Sequence, residues 1–298
     1  MKKTRILAVV VCVLAVANIA SADTVRGIDI NFVTIGNAGN TGDTRLNNQA
    51  YPYNCGAVGY NYRIGKYEIT NAQWNTFTAA AGAPTGNDGG YSYNSYWTGD
   101  QQPTNRVSWY EAIQLCNWLT SGDKSKGAYL FSGNNTNPGN FLGINRAAAQ
   151  ATHGMIYFLP TENEWYKAAY YKPNGSGYSS YANGTDTAPL TSEACYGQSL
   201  PYPGPWNIGI GTIEQNGTFD MMGNVWEWNE TLISSSNRGI RGGSYRNAYD
   251  TYLSSSYRDY YYPSNEYNNI GFRVIEIPEP ATILLLTLGG LVLRKHRR

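Results

Sequence analysis

Asp220-Met221-Met222-Gly223-Asn224-Val225-Trp226-Glu227-Trp228 is the densest chemical constellation in the chain. Two carboxylates flank a Gly-Asn turn that can fold the backbone and bring Asp220 and Glu227 together with main-chain carbonyls. Hard oxygen ligands of that kind suit calcium. The spacing is not that of an EF-hand loop, so the stretch taken alone fits a calcium loop and a satisfied structural turn equally. Trp226 and Trp228 are expected in the core, where tryptophan is mostly found.

Working outward, three helices are marked by their starts. Thr70-Asn-Ala-Gln73, Ser108-Trp-Tyr-Glu111 and Thr161-Glu-Asn-Glu164 are capping boxes, in which a hydroxyl caps the helix and Gln or Glu returns to the cap. In the second helix Trp109, Ala112, Ile113, Cys116 and Leu119 recur at helical spacing, and Gly122 follows as a stop. In the third, Trp165, Ala168 and Ala169 make the inner face and Pro173 ends it. Strand-like pieces lie at Tyr62–Ile69, Met155–Leu159, Gly239–Tyr245 and Ile270–Ile277. Between them run Gly/Asn/Ser/Tyr stretches, 84–105, 132–150 and 174–218, far longer than ordinary loops. No internal repeat or Pro-rich linker divides residues 23–277, so the expected architecture is one α+β domain rich in irregular loops.

Composition narrows the chemistry. Of 298 residues, 22 are Lys or Arg and 21 Asp or Glu, a net charge of +1 that gives no bulk field for nucleic acid. Charged residues are only 14%, while 26 tyrosines and 8 tryptophans point to a surface of amides, hydroxyls and rings. The two histidines, His153 and His296, exclude a histidine-rich metal cage. A Ser-His-acid triad would have to use His153, which no motif surrounds. Glu227, Glu230, Asp250 and Asp259 could supply a glycosidase pair, but sequence fixes no separation between them. There is no P-loop and no dinucleotide glycine motif.

The two ends read as addresses. Lys2-Lys3, the apolar run Ile6–Ala20 and Ala20-Ser21-Ala22 have the three parts of a secretory signal peptide, with cleavage expected after Ala22. Pro278-Glu279-Pro280 precedes thirteen apolar or small residues and a basic end, Arg294 to Arg298. Residues 278–298 resemble the PEP-CTERM sorting tail of Gram-negative bacteria, which implies an exosortase-type partner and a place in the cell envelope, at the outer surface or in the exopolysaccharide matrix. Cys12 lies in the leader, leaving Cys55, Cys116 and Cys195; a Cys55–Cys195 bridge is permitted but not established.

Five motifs together carry a wider resemblance: Tyr67-Glu68-Ile69-Thr70-Asn71, Leu159 to Trp165, Gly223 to Trp228, Arg241-Gly242-Gly243-Ser244-Tyr245 and Gly271-Phe272-Arg273. In this order they resemble the sulfatase-modifying-factor family, whose founding activity is the formylglycine-generating enzyme. The resemblance implies a C-type-lectin-like domain stabilised by calcium. It maps the calcium loop to the side chains of Asp220 and Glu227 and the carbonyls of Gly223 and Val225. Glu68 would be a further calcium contact, or else a surface glutamate at a strand end. Cys195 stands where the family's other calcium site begins with asparagine. The family's copper(I) cysteines fall at Asn247 and Tyr252, and neither side chain is a soft ligand. Trp226, Ser244 and Arg258 retain the family's substrate groove. Calcium is therefore expected and copper is not. The expected function is non-catalytic binding of a glycan or extended peptide through that groove and the tyrosines of Tyr257–Tyr262. The alternatives are a divergent oxidase acting on a cysteine in a sulfatase-type peptide, and a structural matrix protein.

Overall fold

The computed structural model describes residues 21–45, 54–86, 97–199 and 203–277. The expected leader, apart from Ser21 and Ala22, and the expected sorting tail lie outside them. Among the described residues no helix is long and apolar enough to cross a membrane.

The chain opens with a hairpin, β1 (Ser21–Val25) and β2 (Ile28–Ile35). Arg26 and Gly27 both take positive φ, the turn geometry that matches the twist of paired strands. Ile28 and Ile30 face inward while Asp29 and Asn31 are exposed, the period-two pattern of a half-buried strand. β3 (Tyr62–Gly65) follows, then α1 (Asn71–Ala81) and α2 (Trp109–Ser121). β4 (Tyr129–Phe131) and β5 (Phe141–Ile144) form a small hairpin, leading to α3 (Arg146–His153), β6 (Ile156–Phe158) and α4 (Glu162–Tyr170). The last part holds β7 (Trp226–Leu232), β8 (Arg238–Arg241), β9 (Asp259–Tyr261), β10 (Ile270–Gly271) and β11 (Ile275–Ile277).

The three capping boxes form as the sequence predicts. Thr70, Ser108 and Thr161 each accept from the backbone N–H three residues on, and the Gln or Glu there returns to the cap. Gly122 ends α2 in the left-handed conformation, its N–H donating to Trp118 O. The strand expectations are trimmed. Tyr62–Ile69 stops at Gly65, and Ile270–Ile277 splits into β10 and β11, which join different sheets. α3 occupies part of the stretch expected to be loop, and His153 is its exposed last residue.

One five-stranded sheet has the order β1-β2-β3-β11-β6, and a four-stranded sheet the order β10-β7-β8-β9. In the second, β10 runs parallel to β7, pairing Ile270 with Trp226, while β8 pairs Arg241 with Glu227 and Ile240 with Trp228. Trp74, Trp109, Trp165 and Trp228 are fully buried in the common core. A buried indole N–H needs an acceptor. Trp109 donates to Asn229 O (3.1 Å), Trp228 to Val107 O (2.9 Å) and Trp165 to Glu227 Oε2 (2.7 Å). These bonds lock α2 and α4 against β7 and fix the frame of the site.

The permitted Cys55–Cys195 bridge does not form. Cys55, Cys116 and Cys195 are buried thiols, none in a disulfide. Cys195 instead pairs its backbone with Gly223, and its sulfur accepts from Gln198 Nε2 at 3.2 Å.

Candidate functional site

The 220–228 stretch is a tight turn feeding β7. Asp220, Gly223 and Asn224 all have φ between 58° and 85°. Gly223 has a second reason to be glycine: a Cβ there would lie 2.4 Å from Cys195 O. Asn224 sits at the centre of the turn. Its N–H donates to Cys195 O (2.8 Å), its side-chain oxygen accepts from Trp206 N (2.8 Å), and its amide donates to Glu68 Oε2 (2.7 Å). Glu68 also accepts from Val225 N at 3.2 Å. With 1% exposure, Glu68 is not the surface glutamate that a strand end suggests.

Glu227 and Arg273 form a buried bidentate pair. Arg273 Nη2 donates to Oε1 at 2.6 Å and Nε to Oε2 at 2.7 Å. The same guanidinium donates to the carbonyls of Gly65 and Phe219, each at 2.9 Å. Asp220 Oδ2 accepts from Gly209 N at 2.8 Å. Burial lifts the Asp220 carboxyl to about 6, and Glu227 adds to the rise. Burial, then Asp220 and Glu227, push Glu68 well above the carboxylate range, and burial lifts Glu214 to about 8. Glu68, Asp220 and Glu214 thus crowd the single Glu227–Arg273 pair, and burial, with repulsion among the acids, holds these three carboxyls toward the protonated form. The donor set expected for calcium fits a hard cation in charge and ligand type. It is not a ready cage. Among the described residues no three His, Cys, Asp or Glu side chains are grouped to hold a metal, and both Glu227 oxygens already accept from Arg273 and Trp165.

Of the three residues expected to line a groove, Trp226 and Ser244 are buried and Arg258 is half-buried. Trp226 is 4% exposed and Ser244 0%. Tyr252 and Tyr257, both half-buried, cover the indole, with ring centroids 6.4 and 5.9 Å from it and 4.7 Å from each other. Arg258 Nη1 donates to Glu162 Oε2 (2.6 Å), and Glu162 Oε1 accepts from Arg241 Nη2 (2.5 Å). Arg241 also donates to Tyr257 O at 2.6 Å, so the pair of arginines fixes the segment that carries the tyrosine.

Asn247 and Tyr252, at the positions where the resemblance implies copper cysteines, are absorbed into this packing. Asn247 Oδ1 accepts from Ser244 N (2.8 Å) and Ser244 Oγ (2.9 Å), closing the loop after β8. Tyr252 is the lid on Trp226. The Tyr257–Tyr262 run divides: Tyr257 packs on Trp226, Tyr261 packs on Tyr267 at 5.0 Å, and Tyr260 and Tyr262 are exposed. Sequence reasoning missed Glu162 as the link between Arg241 and Arg258; its only signal was an acid inside the capping box of α4.

The model of the sulfatase-modifying factor enzyme 1-like domain matches residues 29–277. The chain belongs to this family. Among curated relatives of this sulfatase-modifying-factor protein, a chaperone protein LppX of Paenibacillus barcinonensis is 28% identical over 220 residues, covering 64% of this chain and 71% of the relative. A hercynine oxygenase of Mycolicibacterium thermoresistibile is 26% identical over 225 residues, covering 68% of this chain and 48% of the enzyme. The chain thus spans about half of that oxygenase. Among solved structures, Treponema denticola variable protein 1 superposes with a TM-score of 0.62 at 22% identity, covering 89% of this chain and all of that one. The fold is the formylglycine-generating-enzyme-like, C-type-lectin-like mixture of helix and curled sheet.

Proposed function

We propose that this sulfatase-modifying-factor protein is a non-catalytic binding module that takes an extended peptide or glycan on the Tyr252–Tyr257 face. Trp226, Ser244 and Arg258 form the rigid support beneath that face. The observation that carries this reading is the fate of the two copper positions. Asn247 is spent on Ser244 and Tyr252 on Trp226, so each side chain has a structural task incompatible with holding a soft metal. Tyrosine supplies stacking area and a polar tip at low entropic cost, which suits neutral ligands. A relative named as a chaperone protein accords with binding without turnover.

Calcium belongs to the same proposal as a structural ion. Asp220, Glu227 and the carbonyls of Gly223 and Val225 would hold it, with Glu68 behind them. Its charge would favour the ionised form of the buried Asp220 and Glu68 carboxyls. Export by the leader, and sorting to the cell surface or its polysaccharide matrix through the 278–298 tail by an exosortase-type enzyme, complete the proposal. Cell fractionation of the full chain against one ending at Ile277 tests the address: equal surface retention of both would count against it.

The rival reading, an oxidase, draws on the hercynine oxygenase relative. Anaerobic Cu(I) competition, followed by oxygen uptake with a cysteine-containing sulfatase-type peptide, separates the two. A binding module shows neither stoichiometric copper nor uptake. One equivalent of tightly held Cu(I) with peptide-dependent oxygen consumption would replace the proposal with the oxidase.

A further inference from the structure

A cleft of about 360 Å³ opens between the start of β2 and the first turn of α1. Its size is at the low end of the ~300–1,000 Å³ of small-molecule sites. It shares no residue with the Trp226–Tyr252–Tyr257 cluster. Asp29, Asn31, Gln73, Thr76 and Gln101 make its polar rim, and Tyr67 gives it a ring. Among the described residues no lysine, arginine or histidine lines it.

Three of these groups are set in place before any ligand arrives. Gln73 is held at both ends of its amide: Oε1 accepts from Thr70 N (2.9 Å) and Nε2 donates to Asp29 O (2.7 Å). The Tyr67 ring lies 5.4 Å from that of Phe219 on one side. On another it is wedged by Gly209, where a Cβ would come within 2.8 Å of Tyr67 Cε1. Asp29 Oδ1 accepts from Thr24 Oγ1 at 2.5 Å, which fixes the carboxylate while leaving most of its acceptor sites open. Asn31 and Gln101 are exposed, and buried Ile30 and Ile69 back the cleft.

The lining selects a ligand class by what it offers and what it lacks. A phosphate or carboxylate would face Asp29 and find no cation among the lining side chains, the Lys66 ammonium being engaged over the Tyr67 and Phe219 rings. A sugar hydroxyl both donates and accepts, so a carboxylate acceptor beside several amides can satisfy adjacent hydroxyls. The Tyr67 ring carries Lys66 Nζ over its face at 5.4 Å, so its remaining edge supplies the apolar contact for a sugar C–H. We propose that this cleft binds a neutral saccharide, separately from the tyrosine face.

The test is a calorimetric titration of the full chain with neutral mono- and tetrasaccharides, alongside the uronic-acid counterpart of each. Asn31→Ala combined with Gln101→Ala changes two exposed side chains and leaves the core intact. At least one neutral saccharide should saturate, the double variant should weaken it about tenfold, and the acidic counterpart should bind about tenfold more weakly. The proposal is overturned if no neutral saccharide saturates, if the double variant binds as tightly as the parent, or if the acidic sugar is preferred. The tyrosine face is read out by Tyr252→Ala instead, so the two proposals fail separately.

Discussion

Arg273 and Glu227, 46 residues apart and both fully excluded from solvent, meet through two charge-assisted hydrogen bonds of 2.6 and 2.7 Å. The pair joins the segment between β10 and β11 to the second residue of β7, and Arg273 also holds carbonyls from the β3 end and from Phe219. It is the point at which both main sheets and the 220–228 turn are tied together.

Removing one partner should therefore be costly. Arg273→Met leaves the Glu227 charge buried and releases the carbonyls of Gly65 and Phe219. Urea denaturation should show a loss of about 3–5 kcal/mol, the range for a broken buried pair. Combining Arg273→Met with Glu227→Leu should recover part of that loss. A single variant within about 1 kcal/mol of the parent would show that the pair does not hold the sheets together.

Asn247 gives a smaller, local prediction. In Asn247→Ala the buried Ser244 N–H and hydroxyl lose their acceptor, with an expected cost of about 1–3 kcal/mol. Asn247→Asp should retain most of the stability, since the acceptor is kept. Equal losses in the two variants would argue that shape, not the hydrogen bonds, is what the position needs.

Stability should fall with rising pH through a group remote from the turn. Burial, and then the facing Glu266, lift the Glu111 carboxyl to about 8, although Ser108 N–H donates to it at 2.7 Å. The folded chain thus holds a proton that the unfolded chain releases near 4.5. The stabilising contribution is complete below about 4.5 and is lost as pH rises toward 8, by up to about 1.4 kcal/mol per pH unit. Glu111→Gln keeps the capping box in neutral form, so its melting temperature should decline less between pH 5 and 8. An unchanged slope would remove Glu111 as the cause.

The thiols should be silent in the native state. Burial raises Cys55 to about 11 and Cys195 to about 12, and pushes Cys116 well above the usual thiol value. The reactive species is the thiolate. Ellman's reagent at pH 8 should leave these three unmodified until denaturant is added, as peptide mapping would show. Rapid native labelling of Cys55 or Cys195 would contradict their burial.

How much was legible in the sequence follows from the range of each interaction. The caps at Thr70, Ser108 and Thr161 are contacts across three residues, so the helix starts could be read directly. β7 was hidden because its first five residues are all buried, Glu227, Asn229 and Glu230 included. The two glutamate charges are matched by Arg273 and Arg146 from distant segments, which erases the alternation a half-buried strand shows. α3 was missed because it is only eight residues long, polar on average and buries only Ala149. At the site, the residues brought together were legible from the motifs, but their exposure was not. Glu68 reaches Asn224 across 156 residues, and Trp226 is covered by Tyr252 and Tyr257. Only the fold shows that the tyrosines, not the tryptophan, are the more accessible part of this cluster.

Calcium gives a prediction of its own. Adding calcium to chelator-treated chain should raise the melting temperature by several degrees, and Asp220→Asn should abolish most of that rise. An equal rise in Asp220→Asn would place any bound ion elsewhere.

The central claim is binding at the tyrosine face. Titration of the purified chain with a panel of extended peptides and glycans, each repeated with Tyr252→Ala and Tyr257→Ala, tests it most directly. The account predicts at least one saturable ligand whose affinity falls about tenfold or more in each variant, the range for losing a ring at a contact centre. No saturable ligand, or binding indifferent to both tyrosines, would contradict it.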